Sequence, residues 1–218
     1  MFYRLLLALK PQMLDGYVLA GGKSSRMGTD KFALRLGDET FATRAVAALQ
    51  KIAAGRVSFV VGAHQSIEFL PTDIPQITDV FPGKAALGGI YTALAHSTSE
   101  WAVILACDYP FVTQDLIVRL AEITGSVDAE ISAVAPVQPD GRIQPLCAFY
   151  RVKTCLAACQ ILLKSVEIPP VRRLLESVAT HRVNFVELAD LPGAENFFSN
   201  VNTPEEYLRA QNIFQQRL

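Results

Sequence analysis

Tyr17-Val18-Leu19-Ala20-Gly21-Gly22-Lys23-Ser24-Ser25-Arg26-Met27-Gly28-Thr29-Asp30-Lys31 is a short apolar run that ends abruptly in a glycine-rich, basic loop. An apolar run without polar alternation is the mark of a strand covered on both faces, as in a parallel sheet. The loop starts where that strand ends. Gly21, Gly22 and Gly28 let the backbone take positive φ and approach a ligand closely, with N–H groups turned to anionic oxygens. From Lys23 to Lys31 the loop carries a local charge of +2. It is not a P-loop: counted from Gly16 the second glycine is Gly21, but Gly22 stands where Lys is required, and counted back from Lys23 the first position is Tyr17. Nor do the three glycines fit G-x-G-x-x-G.

Outward from this stretch, Val57 to Val61, Ala102 to Ala106 and Ile131 to Ala135 read as further buried strands. Phe41, Ala45, Leu49 and Ile52 repeat at helical spacing, as do Leu116, Leu120 and Ile123, and Leu87 to Ala95 reads as helix. Phe32, Leu34 and Leu36 alternate ahead of Gly37-Asp38 and read as a short strand and turn. Pro145 to Tyr150 reads as a strand followed by a helix through Leu163. Thr203-Pro204-Glu205-Glu206 is a capping box with proline at the first helical position, opening a helix towards Gln216. Alternating β and α units predict an α/β fold: one domain, a three-layer open and mostly parallel sheet with helices on both faces. Ligands in such sheets bind outside the carboxyl ends of the strands, so the residues after each strand are the ones to inspect.

Composition narrows the function. The chain has 218 residues, with 20 Lys and Arg against 21 Asp and Glu, 19% charged and 50% hydrophobic. A length near that of one large domain and a high apolar fraction argue against disorder. A net charge of −1 gives no field for nucleic acid or an anionic membrane surface, so an anionic ligand must be held by local chemistry. The opening MFYRLLLALKPQM has an apolar run too short for a signal peptide, with Met13 available as an alternative start. Nothing approaches the length of a membrane span. Four cysteines without a C-x-x-C make no disulfide framework, and the reading is cytoplasmic. Cys155 and Cys159, four apart, read as packing residues rather than half of a zinc site.

Leu19-Ala20-Gly21-Gly22-Lys23-Ser24-Ser25-Arg26-Met27-Gly28-Thr29-Asp30-Lys31 resembles the signature of the molybdenum cofactor guanylyltransferases, within the wider family of small nucleotidyltransferases. The resemblance favours GTP over CTP, because cytidylyltransferases for the same cofactor typically have alanine where Gly21 stands. Thr78-Asp79, then Phe81-Pro82-Gly83 and Leu87-Gly88-Gly89-Ile90, resemble the family's acidic residue and PGxGPLxGI segment. Two positions depart, Ala85 where glycine is common and Ala86 where proline is usual, which puts that loop's backbone in question. Cys107-Asp108-Tyr109-Pro110-Phe111 resembles the family's CDxPF, Gly141-Arg142-Ile143-Gln144-Pro145-Leu146 its GRxxPL, and Asn200-Val201-Asn202-Thr203-Pro204 its NVNTP ending. The similarity spans residues 16 to 216. It implies an N-terminal extension over 1–15 and a nucleotidyltransferase domain over 16–218, with a nucleotide-binding half at about 16–125 and a cofactor-side half at about 126–218.

By this resemblance Leu19, Ala20, Gly21, Gly22, Arg26, Lys31, Asp79, Asp108, Asn200 and Asn202 bind the nucleotide, with Lys31, Arg26 and Asp108 catalytic and Asp108 the ligand of Mg2+. Independent chemistry supports Asp108 most: it follows the apolar run Trp101 to Cys107, where a buried carboxylate needs a partner. A triphosphate carries about four negative charges, each interacting by about 4 kcal/mol with a unit charge 4 Å away at an effective dielectric near 20, more than neutral amides balance alone. Arg142 and Gln144 are candidates to face the second substrate; the simpler readings are a solvated loop for these two, a helix-capping or turn aspartate for Asp108, a turn aspartate for Asp79, turn residues for Asn200 and Asn202, and packing for Tyr109, Phe111 and Trp101. The implied reaction transfers GMP from GTP to the terminal phosphate of molybdenum-molybdopterin. Further implied partners are other molybdenum cofactor biosynthesis proteins and recipient apo-molybdoenzymes. Two alternatives stay open: a cytidylyltransferase or other small-molecule nucleotidyltransferase, and a nucleotide-binding regulatory domain without turnover.

Overall fold

Leu14–Leu19, the apolar run that precedes the glycine-rich loop, forms β1, an inner strand of a seven-stranded sheet. The structure is a computed structural model that describes residues 14–21, 30–53, 56–63 and 68–217. In chain order β1 is followed by β2 (Arg35–Leu36), β3 (Glu39–Thr40), α1 (Phe41–Gln50), β4 (Val57–Val61), β5 (Gln76–Thr78), α2 (Ala85–His96) and β6 (Trp101–Ala106). Then come α3 (Gln114–Thr124), β7 (Ala133–Pro136), β8 (Cys147–Arg151), α4 (Val152–Leu163), α5 (Arg172–Ser177), β9 (Thr180–Val183) and α6 (Pro204–Gln215). Leu14 and Asp15 are therefore strand residues, two positions ahead of the domain boundary read from the motif.

The sheet order is β5-β4-β1-β6-β8-β7-β9, with β8 antiparallel to β6 and to β7 and the other described pairings parallel. Both faces of β1 and β6 are buried, as the apolar runs predict. Val18, Trp101, Val103 and Leu105 face a layer that includes Ala45, Leu49, Leu116 and Leu120 of α1 and α3. Tyr17, Leu19, Ala102 and Ile104 face Leu87, Ile90, Cys155 and Cys159 of α2 and α4. The helices thus lie on both faces, giving three layers. Cys155 donates from Sγ to the Ser132 carbonyl at 3.1 Å, and burial pushes the thiols of Cys155 and Cys159 up to about 12, so both pack as protonated thiols.

Helix starts follow their caps: Thr40 accepts from the Thr43 amide, Thr113 from Leu116, and Thr203 from Glu206 at 3.2 Å in the capping box read from sequence. One local expectation is corrected. Phe32 and Leu34 do not lie in a strand: Lys31–Ala33 is a 3-10 turn, and only Arg35–Leu36 pairs, as a hairpin with Glu39–Thr40. The alternation of buried Phe32, Leu34 and Leu36 is real, but a turn followed by an extended segment produces it as well as a strand does. No helix of the described residues is long and apolar enough to cross a membrane.

Candidate active site

The chain leaves β1 for β4 through α1 on one face and returns from β5 through α2 on the other, so strand order reverses between β1 and β6. That reversal opens a crevice at the carboxyl ends of the strands. Gly21, Gly62, Asp79 and Asp108 all stand on this edge, after β1, β4, β5 and β6. Because β8 runs the opposite way, Gln144 to Leu146, which lead into it, reach the same edge. Leu19 and Ala20 are fixed by the sheet: the Leu19 carbonyl accepts from Cys107 at 3.2 Å and the Ala20 amide donates to Val60 at 3.0 Å.

Asp108 sits in a turn where the Tyr109 amide donates to Ala106. Its carbonyl accepts the Val201 amide at 3.0 Å, which brings the Asn200–Asn202 segment to the end of β6. Lys31, from the 3-10 turn after the glycine-rich loop, lies with Nζ 3.5 Å from Asp108 Oδ2 and in contact with Asn202 Oδ1. Three residues that sequence spaces far apart therefore converge at the reversal point. Asn202 is held from behind, its amide donating to Glu206 Oε2 at 2.6 Å.

Burial pushes the Asp108 carboxyl above its ordinary range, against the pull of the Lys31 ammonium. Oδ1 of Asp108 is buried with no hydrogen-bond partner among the described residues. A buried carboxylate oxygen left unmet calls for a cation, and one carboxylate completed by substrate phosphates is how magnesium is usually held. The residues present fit such an ion: Asp108 supplies the hard oxygen, and the Asn202 amide oxygen meets the same lysine as Asp108 does. Among the described residues no cluster of three or more His, Cys, Asp or Glu side chains forms a metal cage.

Asp79 lies elsewhere on the edge. From β5 to β6 is three strand spacings, or about 14 Å, so Asp79 and Asp108 address different parts of any shared ligand. Oδ1 of Asp79 accepts from the Phe81 amide and from Thr92 Oγ1, both at 2.9 Å, and Thr92 also donates to the Gly88 carbonyl at 3.0 Å. The aspartate thus also organises the loop before α2. Gly88 is required there, since a Cβ would stand 2.8 Å from the Phe81 carbonyl oxygen. Gly21 is different: among the described residues a Cβ would meet Gly62 N at 3.5 Å, an ordinary contact, so packing against them does not demand glycine.

Asn200 is exposed and lines a cavity of about 350 Å³ with Gln138, Arg142, Glu195, Phe198 and Arg209. This cavity lies beside the Asp108–Asn202 cluster, on the β7–β8 side. Gly22 and Arg26, assigned from the motif, lie outside the described residues. Thr92, Gly88 and Tyr109 were not among the site residues read from sequence, and Gln144, whose simpler reading is a solvated loop, is instead buried. Tyr109 donates through its hydroxyl to Gln144 Oε1 at 2.8 Å, whereas its place after Asp108 reads as packing.

The model of the MobA-like NTP transferase domain matches residues 16–185. A probable molybdenum cofactor guanylyltransferase of Carboxydothermus hydrogenoformans is 34% identical over 93% of this chain and 98% of its own length. One of Bacillus mycoides is 33% identical over 90% of this chain and 94% of its own. The crystal structure of molybdopterin-guanine dinucleotide biosynthesis protein A from Archaeoglobus fulgidus shares the fold with a TM-score of 0.74 at 23% identity, covering 93% of this chain and 99% of the other.

Proposed function

Since this chain belongs to the MobA-like NTP transferase family, we propose that it transfers GMP from GTP to the terminal phosphate of molybdenum-molybdopterin, releasing pyrophosphate and forming the guanine dinucleotide of the cofactor. The observation that carries this reading is the convergence of Lys31, Asp108 and Asn202 at the strand-order reversal, with a buried Asp108 oxygen lacking a partner among the described residues. A regulatory binder has no need of a buried carboxylate kept unmet beside a lysine. The names carried by relatives of over 30% identity support the substrate pair.

Transfer at the α-phosphorus asks the protein chiefly for alignment and charge neutralisation. In this reading Asp108 holds a magnesium ion, which when bound offsets phosphate charge during in-line displacement. Lys31, fixed by Asp108 and Asn202, neutralises charge growing on the leaving pyrophosphate, together with Arg26 from the loop. Leu19, Ala20, Gly21 and Gly22 present backbone to the nucleotide, and Asp79, displaced along the edge, reaches its nucleoside end. The sheet divides in the same sense: β5, β4, β1 and β6 carry the nucleotide-binding half, and β8, β7 and β9 the cofactor-side half. Asn200 keeps the nucleotide role that the resemblance implies, and the cavity it shares with Gln138, Arg142 and Arg209 faces molybdopterin, whose phosphate needs the basic groups. Gly21 favours GTP: an alanine methyl would fit against the described residues, so its effect would fall on the ligand. The enzyme works in the cytoplasm, drawing on other cofactor biosynthesis proteins and supplying recipient apo-molybdoenzymes.

Incubation with GTP, magnesium and molybdenum-molybdopterin, monitored by pyrophosphate release, tests the reading. Release that depends on all three supports it. Release with CTP faster than with GTP, or none with either, overturns it.

A further inference from the structure

We propose that Tyr109 and Gln144 form a positioning pair that sets the Asp108 carboxylate for its cation, so that a side-chain hydrogen bond spanning the two halves of the sheet controls metal binding in the first. The proposal rests on the reading of Asp108 as the metal-bearing carboxylate.

Asp108 has little that holds its own side chain: among the described residues Oδ2 meets Lys31 at 3.5 Å, and Oδ1 meets nothing. Its aim is therefore inherited from the turn that carries it. That turn is closed by the Tyr109 amide on Ala106, tied to α1 by Arg44 Nε, which donates to the Pro110 carbonyl at 3.0 Å, and held by three further bonds. Val201 donates to the Asp108 carbonyl at 3.0 Å, Val112 donates to the Tyr109 carbonyl at 3.2 Å, and the Tyr109 hydroxyl donates to Gln144 Oε1 at 2.8 Å. The third joins two side chains, and it reaches the segment between β7 and β8.

Gln144 is built as an anchor. It is 6% exposed, its amide donates to Pro136 at 2.9 Å, and its carbonyl accepts from Cys147 at 3.4 Å. A buried amide side chain is retained where its hydrogen bonds matter, because desolvating it without a partner is unfavourable. The Tyr109 ring meets Phe198 edge to face, with centroids 6.5 Å apart. Phenylalanine would keep that packing, so the hydroxyl has no packing role and its use is the bond to Gln144. Groups that orient a metal ligand without touching the ion typically change metal affinity or activity by about 10- to 100-fold when removed.

The test measures Mn2+ affinity in the presence of GTP by the paramagnetic resonance of free Mn2+, alongside steady-state pyrophosphate release, for wild type, Tyr109→Phe, Gln144→Met and the double variant. Each single variant is expected to weaken Mn2+ binding by about 10-fold and lower kcat to a similar degree, with KM for GTP within about twofold of wild type. The double variant should be no worse than either single one, the signature of one shared interaction. Melting temperatures show whether Gln144→Met folds; if it does not, Tyr109→Phe, which keeps the ring on Phe198, decides alone. Mn2+ binding by Tyr109→Phe equal to wild type overturns the pair, as do losses that multiply in the double variant or an absence of Mn2+ binding by wild type. A wild-type protein whose Mn2+ affinity responds to Tyr109→Phe but which releases no pyrophosphate would refute GMP transfer and leave the pair standing.

Discussion

Val201 donates its backbone N–H to the carbonyl of Asp108 at 3.0 Å, and this one bond joins the segment before the last helix to the end of the central strand β6. It brings Asn202 to Lys31, whose ammonium also meets Asp108. The residues that meet here come from three parts of the chain, and the strand-order reversal between β1 and β6 is what gives them a common place.

Asp108→Asn keeps the shape of the carboxylate and removes its charge, so activity and stability should part company. Pyrophosphate release is expected to fall by at least about 10²-fold. Melting temperature at pH 7 should rise, because burial holds the folded pKa of Asp108 above its unfolded value despite Lys31. A raised carboxyl pKa means the folded state binds the proton more tightly. The stability it contributes is present below the unfolded pKa and is lost as pH rises through the folded one. The advantage of the asparagine variant should therefore shrink as pH falls through that range. A variant with near-normal turnover would remove Asp108 from the chemistry.

Nucleotide preference is readable by thermal shift with magnesium and GTP, CTP, ATP or UTP at equal concentration. A ligand at about 100 times its Kd adds about 2.7 kcal/mol to the folded state, several degrees for a chain of this size. GTP should give the largest shift, and Gly21→Ala should reduce it without lowering the melting temperature of the free protein, since the added methyl meets only ordinary contacts among the described residues. A larger shift with CTP in the wild type would contradict the guanylyl reading.

What was legible in the sequence had a physical reason to be. β1, β4 and β6 are covered on both faces, so their apolar runs carry no competing polar pattern, and the Thr203–Glu206 box uses the same side chains in the structure as in the motif. Asp108 stood out because a charge follows a buried run. β9 did not, since Thr180-His181-Arg182-Val183 lies at the sheet edge with one buried side chain. The direction of β8 likewise depends on partners that periodicity does not reveal. In the site, the Lys31–Asn202 contact, the Thr92 bond to Asp79 and the Tyr109 bond to Gln144 are long-range or cross-element pairings. No local spacing encodes them.

The departure from the family pattern at Ala85 has a structural counterpart. Ala85 has φ of +48° at the start of α2, in the left-handed region where a side chain costs about 1–2 kcal/mol. Ala85→Gly relieves that strain, partly offset by the greater freedom glycine has in the unfolded chain. The expected net gain is up to about 1 kcal/mol, a rise in melting temperature of about 2–4 °C. An unchanged or lower melting temperature would show that the loop holds alanine without strain.

Asp15 offers a stability test that leaves the site untouched, because it lies at the amino end of β1, across the sheet from Asp108. Its side chain is 8% exposed and pairs with Arg56 at 3.0 Å. It also accepts from Ser97 Oγ at 2.6 Å and from the amides of Thr98 and Ser99 at 2.8 and 3.0 Å, tying the α2–β6 connection to β1. Burial alone would raise its pKa, but the bonds from Ser97, Thr98 and Ser99 outweigh it and hold the carboxyl below its ordinary range. Asp15→Ala leaves those donors and a partly exposed arginine without their acceptor, a loss of about 3 kcal/mol, with kcat and KM for GTP as in wild type. A carboxyl whose folded pKa is depressed stabilises above its unfolded pKa, near 3.9, and loses that contribution as pH falls through the folded value. The gap in stability between wild type and Asp15→Ala, measured by urea unfolding, should therefore be flat from pH 8 to about pH 5 and close below about pH 4. A gap that closes already near pH 6 would mean that a group titrating there, rather than Asp15, holds this corner of the fold.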